Sequence, residues 1–137
     1  MPSLNGVLET GLYVEDLQRS IRFYQDVFGL EVLTADDRFC ALSVAGRQVL
    51  LLFRKGGTLE PIVTPGGVIP PHDGDGQLHY SFSIAAAELP VWEKWLQEKG
   101  ICLESRVQWP AGGVSLYLRD PDGHLVELAT PGLWSIY

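Results

Sequence analysis

Between residues 6 and 14 the chain alternates as GVLETGLYV. Leu8, Thr10, Leu12 and Val14 fall on one face of an extended strand, and Glu9, Gly11 and Tyr13 on the other. The period then lengthens. In EDLQRSIRFYQDVFG, Leu17, Ile21, Tyr24 and Phe28 recur at helical spacing. Asp16 stands where an N-cap is needed, and Gly29 where a left-handed residue ends the helix. FCALSVAG and RQVLLLF return to strand character and predict a hairpin turning near Ala45 and Gly46. A segment dense in Gly and Pro, residues 55–77, interrupts the pattern and reads as a loop.

Past this loop the order recurs. LHYSFSI is strand-like, and AAAELPVWEKWLQEKG predicts a helix with Pro90 in its first turn and Gly100 at its end. Leu89, Trp92 and Leu96 mark that helix's buried stripe. GVSLYLRD and HLVELAT then close a second hairpin on a DPDG turn. Overlaying the halves sets Glu9 on His79, Leu12 on Phe82, Val14 on Ile84 and Gly29 on Gly100; matching Gly46 with Gly123 sets Leu50 opposite Glu127. The repeat is one of pattern rather than identity. It predicts an α+β chain forming a single domain, residues 1–137, from a first module (1–54), a linker loop (55–77) and a second module (78–137).

Composition narrows the partners. The 137 residues are 46% hydrophobic and 20% charged, enough to build a core of their own. A net charge of −7 without any Lys/Arg cluster argues against nucleic acid and anionic membrane as partners. No apolar run approaches the length of a membrane span, and the N-terminus lacks the basic-then-apolar pattern of a secretory signal. Cys40 and Cys102 sit in unrelated contexts with no CxxC motif, which points to a reducing cytoplasm rather than a disulfide framework. A small molecule or a second copy of the chain is the expected partner.

Alternation also sorts the unusual residues. Tyr80, Phe82 and Ile84 face one way, and His79, Ser81 and Ser83 the other; Leu116 and Leu118 oppose Ser115, Tyr117 and Arg119; Val126 and Leu128 oppose Leu125, Glu127 and Ala129. One face is apolar and must carry the helices. The other holds Glu9, His79, Tyr117 and Glu127 among the small residues Gly11, Ser81 and Ala129. A carboxylate inside LVELA is costly to bury alone, so Glu127 either faces water or has a partner, Arg119 on the neighbouring strand or a divalent cation. Two carboxylates and an imidazole supply three ligands to a divalent ion and leave positions open for water or substrate. Singly, Glu9 reads as a solvated residue, His79 as a hydrogen-bonded core histidine and Tyr117 as packing; their coincidence is what points to a site. His72 reads as a solvated loop residue and His124 as exposed, while Trp109 either rims a cavity or caps the core. There is no GxSxG elbow, P-loop, HExxH or complete dinucleotide fingerprint.

LYVEDLQRSIRFYQDVFGLEV in the first half and YLRDPDGHLVEL in the second, set in paired modules, resemble the vicinal oxygen chelate superfamily. That group includes glyoxalase I, extradiol dioxygenases, fosfomycin-resistance enzymes and bleomycin-resistance proteins. The resemblance implies two tandem βαβββ modules whose curved mixed sheets surround a metal-site cavity. It also implies that Glu9, His79 and Glu127 are the metal ligands, that Tyr117 is an acid or base beside them, and that Glu127 can serve as a base. Dioxygenases and fosfomycin-resistance enzymes of the group carry histidine where this chain has Glu9; a Glu-His-Glu set is more anionic and harder, so Fe²⁺ is no longer the obvious ion and Mn²⁺, Ni²⁺ or Zn²⁺ fit as well. Leu50 stands where glyoxalase I has a fourth ligand, which counts against that activity and leaves one site per chain. Short chains of the group commonly form homodimers whose modules pair across protomers. The implied function is a metal-dependent enzyme for a small substrate chelated through vicinal oxygens, with dioxygenase-like chemistry ahead of a glyoxalase-like lyase or isomerase. The alternative is a bleomycin-resistance-type binding protein without chemistry.

Overall fold

The structure, a computed structural model, describes residues 1–137 as two compact units, Met1–Gly76 and Gln77–Tyr137. The first unit contains β1 (Glu9–Val14), α1 (Leu17–Phe28), β2 (Glu31–Ala35), β3 (Phe39–Val44) and β4 (Gln48–Arg54). A short hairpin of β5 (Ile62–Thr64) and β6 (Gly67–Ile69) follows. Its main sheet has the order β1-β4-β3-β2, with β1 parallel to β4 and the other pairs antiparallel. The second unit contains β7 (His79–Ser83), a 3₁₀ turn (Ala86–Glu88), α2 (Leu89–Glu98), β8 (Ser105–Gln108), β9 (Val114–Arg119) and β10 (Leu125–Ala129). Its sheet has the matching order β7-β10-β9-β8, with β7 parallel to β10. The βαβββ repeat is therefore present twice, on two separate sheets.

Local chemistry sets the element ends. The Asp16 carboxylate accepts from the Arg19 N–H at 3.0 Å, and Gly29, at φ 66°, returns its N–H to the Gln25 carbonyl at 2.9 Å. Ala45 and Gly46 are both left-handed (φ 52° and 66°), as the two central residues of a type I′ hairpin must be. The second helix begins later than its periodicity suggests. Pro90 has no N–H to return to residue 86, so Ala86–Glu88 close as a 3₁₀ turn and the regular helix starts at Leu89. Of its predicted stripe, Leu96 is buried, and Leu89 and Trp92 are half-buried.

The apolar faces do carry the cores. Leu12, Val14, Leu50 and Leu52 are buried in the first unit with Leu17, Ile21 and Tyr24 of α1; Leu116, Leu118, Val126 and Leu128 are buried in the second with Leu96. Three features escape the periodicity. β2 is exposed along its whole length and β8 over three of its four residues, so neither carries an apolar signature; both are edge strands. The β5–β6 hairpin lies inside the segment read as a loop, turning where Thr64 accepts from the Gly66 N–H at 3.2 Å.

One register expectation is corrected. β1 pairs Glu9 with Val49 and Gly11 with Leu51, whereas β7 pairs His79 with Leu125 and Ser81 with Glu127. The first-module counterpart of Glu127 is therefore Leu51, not Leu50. Both closing turns hold three residues, between Val44 and Gln48 and between Asp120 and His124, but the glycine is second in one and third in the other; a one-residue slip moves a side chain to the opposite face, where Leu50 is indeed buried in the core. The counterpart remains a leucine, so the first module still offers no carboxylate there.

The same comparison explains why the second module's sheet face is open where the first module's is filled. Tyr13, Phe53 and Phe39 correspond by register to Ser83, Ala129 and Ser115. In the first unit the aromatic rings pack together, Tyr13 to Phe53 at 5.7 Å and Phe39 to Phe53 at 6.2 Å between centroids, and His72 stands edge-on to Phe53 at 4.7 Å. Gly11 must be small, because a Cβ there would lie 3.1 Å from the Phe53 ring. In the second unit the small residues leave the face open.

Candidate metal centre

That open face is a cavity of about 450 Å³, floored by His79, Ser81, Tyr117, Glu127 and Ala129 and walled by Trp109, Leu133, Trp134 and Tyr137. Alternation on three adjacent strands aims the floor residues. Glu127 on β10 is the cross-strand partner of Tyr117 on β9, and His79 opens β7 on the other side of β10.

Glu127 is 5% exposed, and its partners are now defined. Oε2 lies 3.3 Å from His79 Nε2, and Oε1 accepts a short hydrogen bond from the Ser115 hydroxyl. Arg119, the alternative partner considered from sequence, is engaged elsewhere: its guanidinium binds Glu104 at 2.6 and 2.9 Å and the Gly123 carbonyl at 3.0 Å. No lysine or arginine pairs with the buried carboxylate.

His79 is held from behind. Its Nδ1 lies 3.0 Å from the Leu125 carbonyl, which can only accept, so Nδ1 carries a proton that it donates there. In the neutral ring Nε2 is then a free lone pair beside Glu127 Oε2. The Tyr117 ring lies 6.2 Å from the imidazole. Its phenol is pushed above the ordinary tyrosine range, first by burial, against a lowering by the Ser115 hydroxyl, and further by the charge and hydrogen bonding of Glu127. Tyr117 is thus a neutral O–H donor at physiological pH.

The structure places the other sequence-selected residues as follows. Glu9 is exposed at the start of β1, on the first unit's sheet rather than on one face shared with His79 and Glu127. Within the single chain no three His, Cys, Asp or Glu side chains gather around a point that could hold an ion. His124 is buried, not exposed: its Nδ1 accepts from the Leu78 N–H at 2.9 Å, and its own N–H is held by Asp120 at 2.8 Å, so it locks the DPDG turn to the start of β7. His72 is solvent-exposed yet engaged, with Nδ1 bonded to the Tyr13 hydroxyl. Trp109 rims the cavity, and its indole N–H donates to Ser115 at 2.8 Å. Ser115 is the residue sequence reasoning passed over. A serine between Val114 and Leu116, on the same strand face as Tyr117, was the signal that could have found it.

An imidazole and a buried carboxylate 3.3 Å apart thus share the floor of a cavity in the second of two βαβββ modules. The sequence belongs to the glyoxalase/bleomycin resistance protein/dioxygenase superfamily, whose profile matches residues 6–128. Among its relatives is a metallothiol transferase FosB of Bacillus licheniformis, 31% identical over 118 residues, covering 85% of this chain and 70% of the relative. A catechol-2,3-dioxygenase of Bacillus subtilis is 30% identical over 118 residues, but the match covers only 38% of that protein. The crystal structure of a lactoylglutathione lyase from Agrobacterium tumefaciens superposes with a TM-score of 0.88 at 34% identity, covering 98% of this chain and 99% of that one. No helix is long and apolar enough to cross a membrane.

Proposed function

We propose that the protein is a divalent-metal-dependent enzyme acting on a small substrate that presents two adjacent oxygens. The observation that carries this reading is the His79–Glu127 pair: Nε2 and Oε2 3.3 Å apart on the floor of the cavity, the imidazole held from behind by the Leu125 carbonyl, and the carboxylate buried without a lysine or arginine partner. These donors fit a borderline-hard ion such as Fe²⁺, Mn²⁺, Ni²⁺ or Zn²⁺. Glu9 is the third ligand, since it occupies on β1 the position that His79 occupies on β7. An ion held there supplies Lewis acidity toward the substrate oxygens. The chain's own residues do the rest. Tyr117 donates a proton to a substrate oxygen bound beside it, and Glu127 accepts one.

Tyr117 facing Glu127 supports dioxygenase-like chemistry as the first reading, in line with the catechol-2,3-dioxygenase relative. A second reading, lyase, isomerase or thiol transfer, is favoured by extent of match: the lyase structure and the FosB relative are matched over most of their lengths and the dioxygenase over 38%. Metal analysis by mass spectrometry, on protein purified without chelator, tests the common core. About one ion per chain is expected in the wild type and none in His79→Ala. Failure to bind any of the four ions after incubation with each would overturn the enzyme reading. The ion's identity then orders the two chemistries, iron favouring oxygen insertion.

A further inference from the structure

Ser115 has no role in the activity derived so far, yet it is fully buried on β9 and touches the centre of the site. Its hydroxyl has one hydrogen to give. The indole N–H of Trp109, which can only donate, approaches the Ser115 oxygen at 2.8 Å, so that oxygen accepts from Trp109 and its hydrogen is directed to Glu127 Oε1. Trp109 is itself fixed by a tight turn. Its N–H donates to the Gly113 carbonyl at 2.8 Å, and its carbonyl accepts from the Gly112 N–H at 2.9 Å. Gly112 sits at φ 96°, a conformation that favours glycine. The chain of donors runs in one direction, from the loop N–H through the serine to the carboxylate.

We propose that Ser115, oriented by Trp109, is a positioning residue for the metal centre: it ties down Oε1 so that Glu127 presents Oε2 alone, beside His79 Nε2. Without it the carboxylate is free to rotate about its last torsion and to offer either oxygen, both or neither. Outer-shell donors of this kind set ligand orientation, and losing one typically weakens metal binding by about 10–100-fold. Trp109 acts only through Ser115, so the two residues form one device rather than two independent contacts. This inference rests on the metal-centre reading above.

The test is calorimetric titration of metal-free protein with Mn²⁺ and with Zn²⁺, comparing wild type, Ser115→Ala, Trp109→Phe, the double variant and Glu127→Gln. Near-ultraviolet circular dichroism of each metal-free protein reports whether the fold is retained. Ser115→Ala is expected to weaken binding by about 10–100-fold. Trp109→Phe, which keeps an aromatic ring but removes the indole N–H together with the five-membered ring, is expected to weaken it by less. The double variant should match Ser115→Ala, because a donor acting through Ser115 has nothing left to orient. Ser115→Thr, which restores the hydroxyl, should recover part of the loss. Additive losses in the double variant, or wild-type affinity in folded Ser115→Ala, would overturn the positioning role. Should Ser115→Ala fail to fold, Trp109→Phe decides alone, and unchanged affinity in it overturns the device. If Glu127→Gln loses the ion while Ser115→Ala keeps it, only this inference fails; if wild type binds neither ion, the metal centre itself fails.

Discussion

Two cysteines and one glutamate show how burial decides what a side chain can do. Cys40 is fully buried on β3, and burial pushes its thiol above the ordinary range, whereas Cys102 is exposed. Native protein treated with iodoacetamide should therefore be labelled at Cys102 and remain unmodified at Cys40 until denatured, as peptide mass mapping would show; equal labelling of both would mean that β3 opens readily. Glu127 presents the complementary case, a charge tolerated inside because polar groups surround it. Changing it to Gln keeps an oxygen for the Ser115 hydroxyl while removing the charge and the metal affinity. The metal-free variant is expected to unfold within about 1 kcal/mol of wild type, because sparing the desolvation of a buried charge offsets the weakened contacts with Ser115 and His79. Thermal unfolding with and without ion separates these effects: wild type should gain stability from the ion, and Glu127→Gln should not.

At the scale of elements, what was legible from the chain was whatever carried a strong period or a cap. α1 announced itself through Asp16, the apolar stripe and Gly29, and the strand faces through alternation at Leu12 and Val14, Leu116 and Leu118, Val126 and Leu128. β2 and β8 were not legible, since an exposed edge strand has no buried face to mark. Register was the weak point. Glycines at different positions in two equal turns were aligned with each other, and the backbone pairing shows Leu51, not Leu50, in the place of Glu127. His124 was misread for a related reason: the residue after a turn glycine looks solvated, but here its ring satisfies the Leu78 N–H beneath β7. The corrected register makes a prediction of its own. Leu50→Ala empties a core position and should destabilise the protein by about 2–5 kcal/mol in urea titrations. Leu51→Ala, on the half-buried opposite face, should cost clearly less, and neither should alter metal affinity. A reversed order would mean that β4 is paired one residue out of place.

For the whole molecule, the third ligand of the proposed centre has to come from a strand outside the second unit. β1 and β7 are both edge strands, each bearing its ligand-type residue at its first position, and Glu9 is exposed where His79 and Glu127 face a cavity. An edge strand with its chemistry exposed is suited to meeting another chain. We propose that two copies pair so that Glu9 of one joins His79 and Glu127 of the other. In a two-fold dimer the arrangement is reciprocal, so each dimer holds two equivalent sites, each built from both chains. Mixing separates this from a site built within one chain. Glu9→Ala and Glu127→Ala each destroy both sites of their own homodimer. If the ligands are shared, subunit exchange produces a hybrid in which one site carries both lesions and the other carries neither. Random exchange makes half the dimers hybrids, so about one site in four regains tight metal binding. The ion bound should rise from background to that fraction on the timescale of exchange, and a chemical cross-link introduced before mixing should prevent the rise. Recovery would assign the active unit to the dimer. Proteins that exchange subunits, as followed by mass-tagged chains, yet recover no binding would place Glu9 with His79 and Glu127 of its own chain.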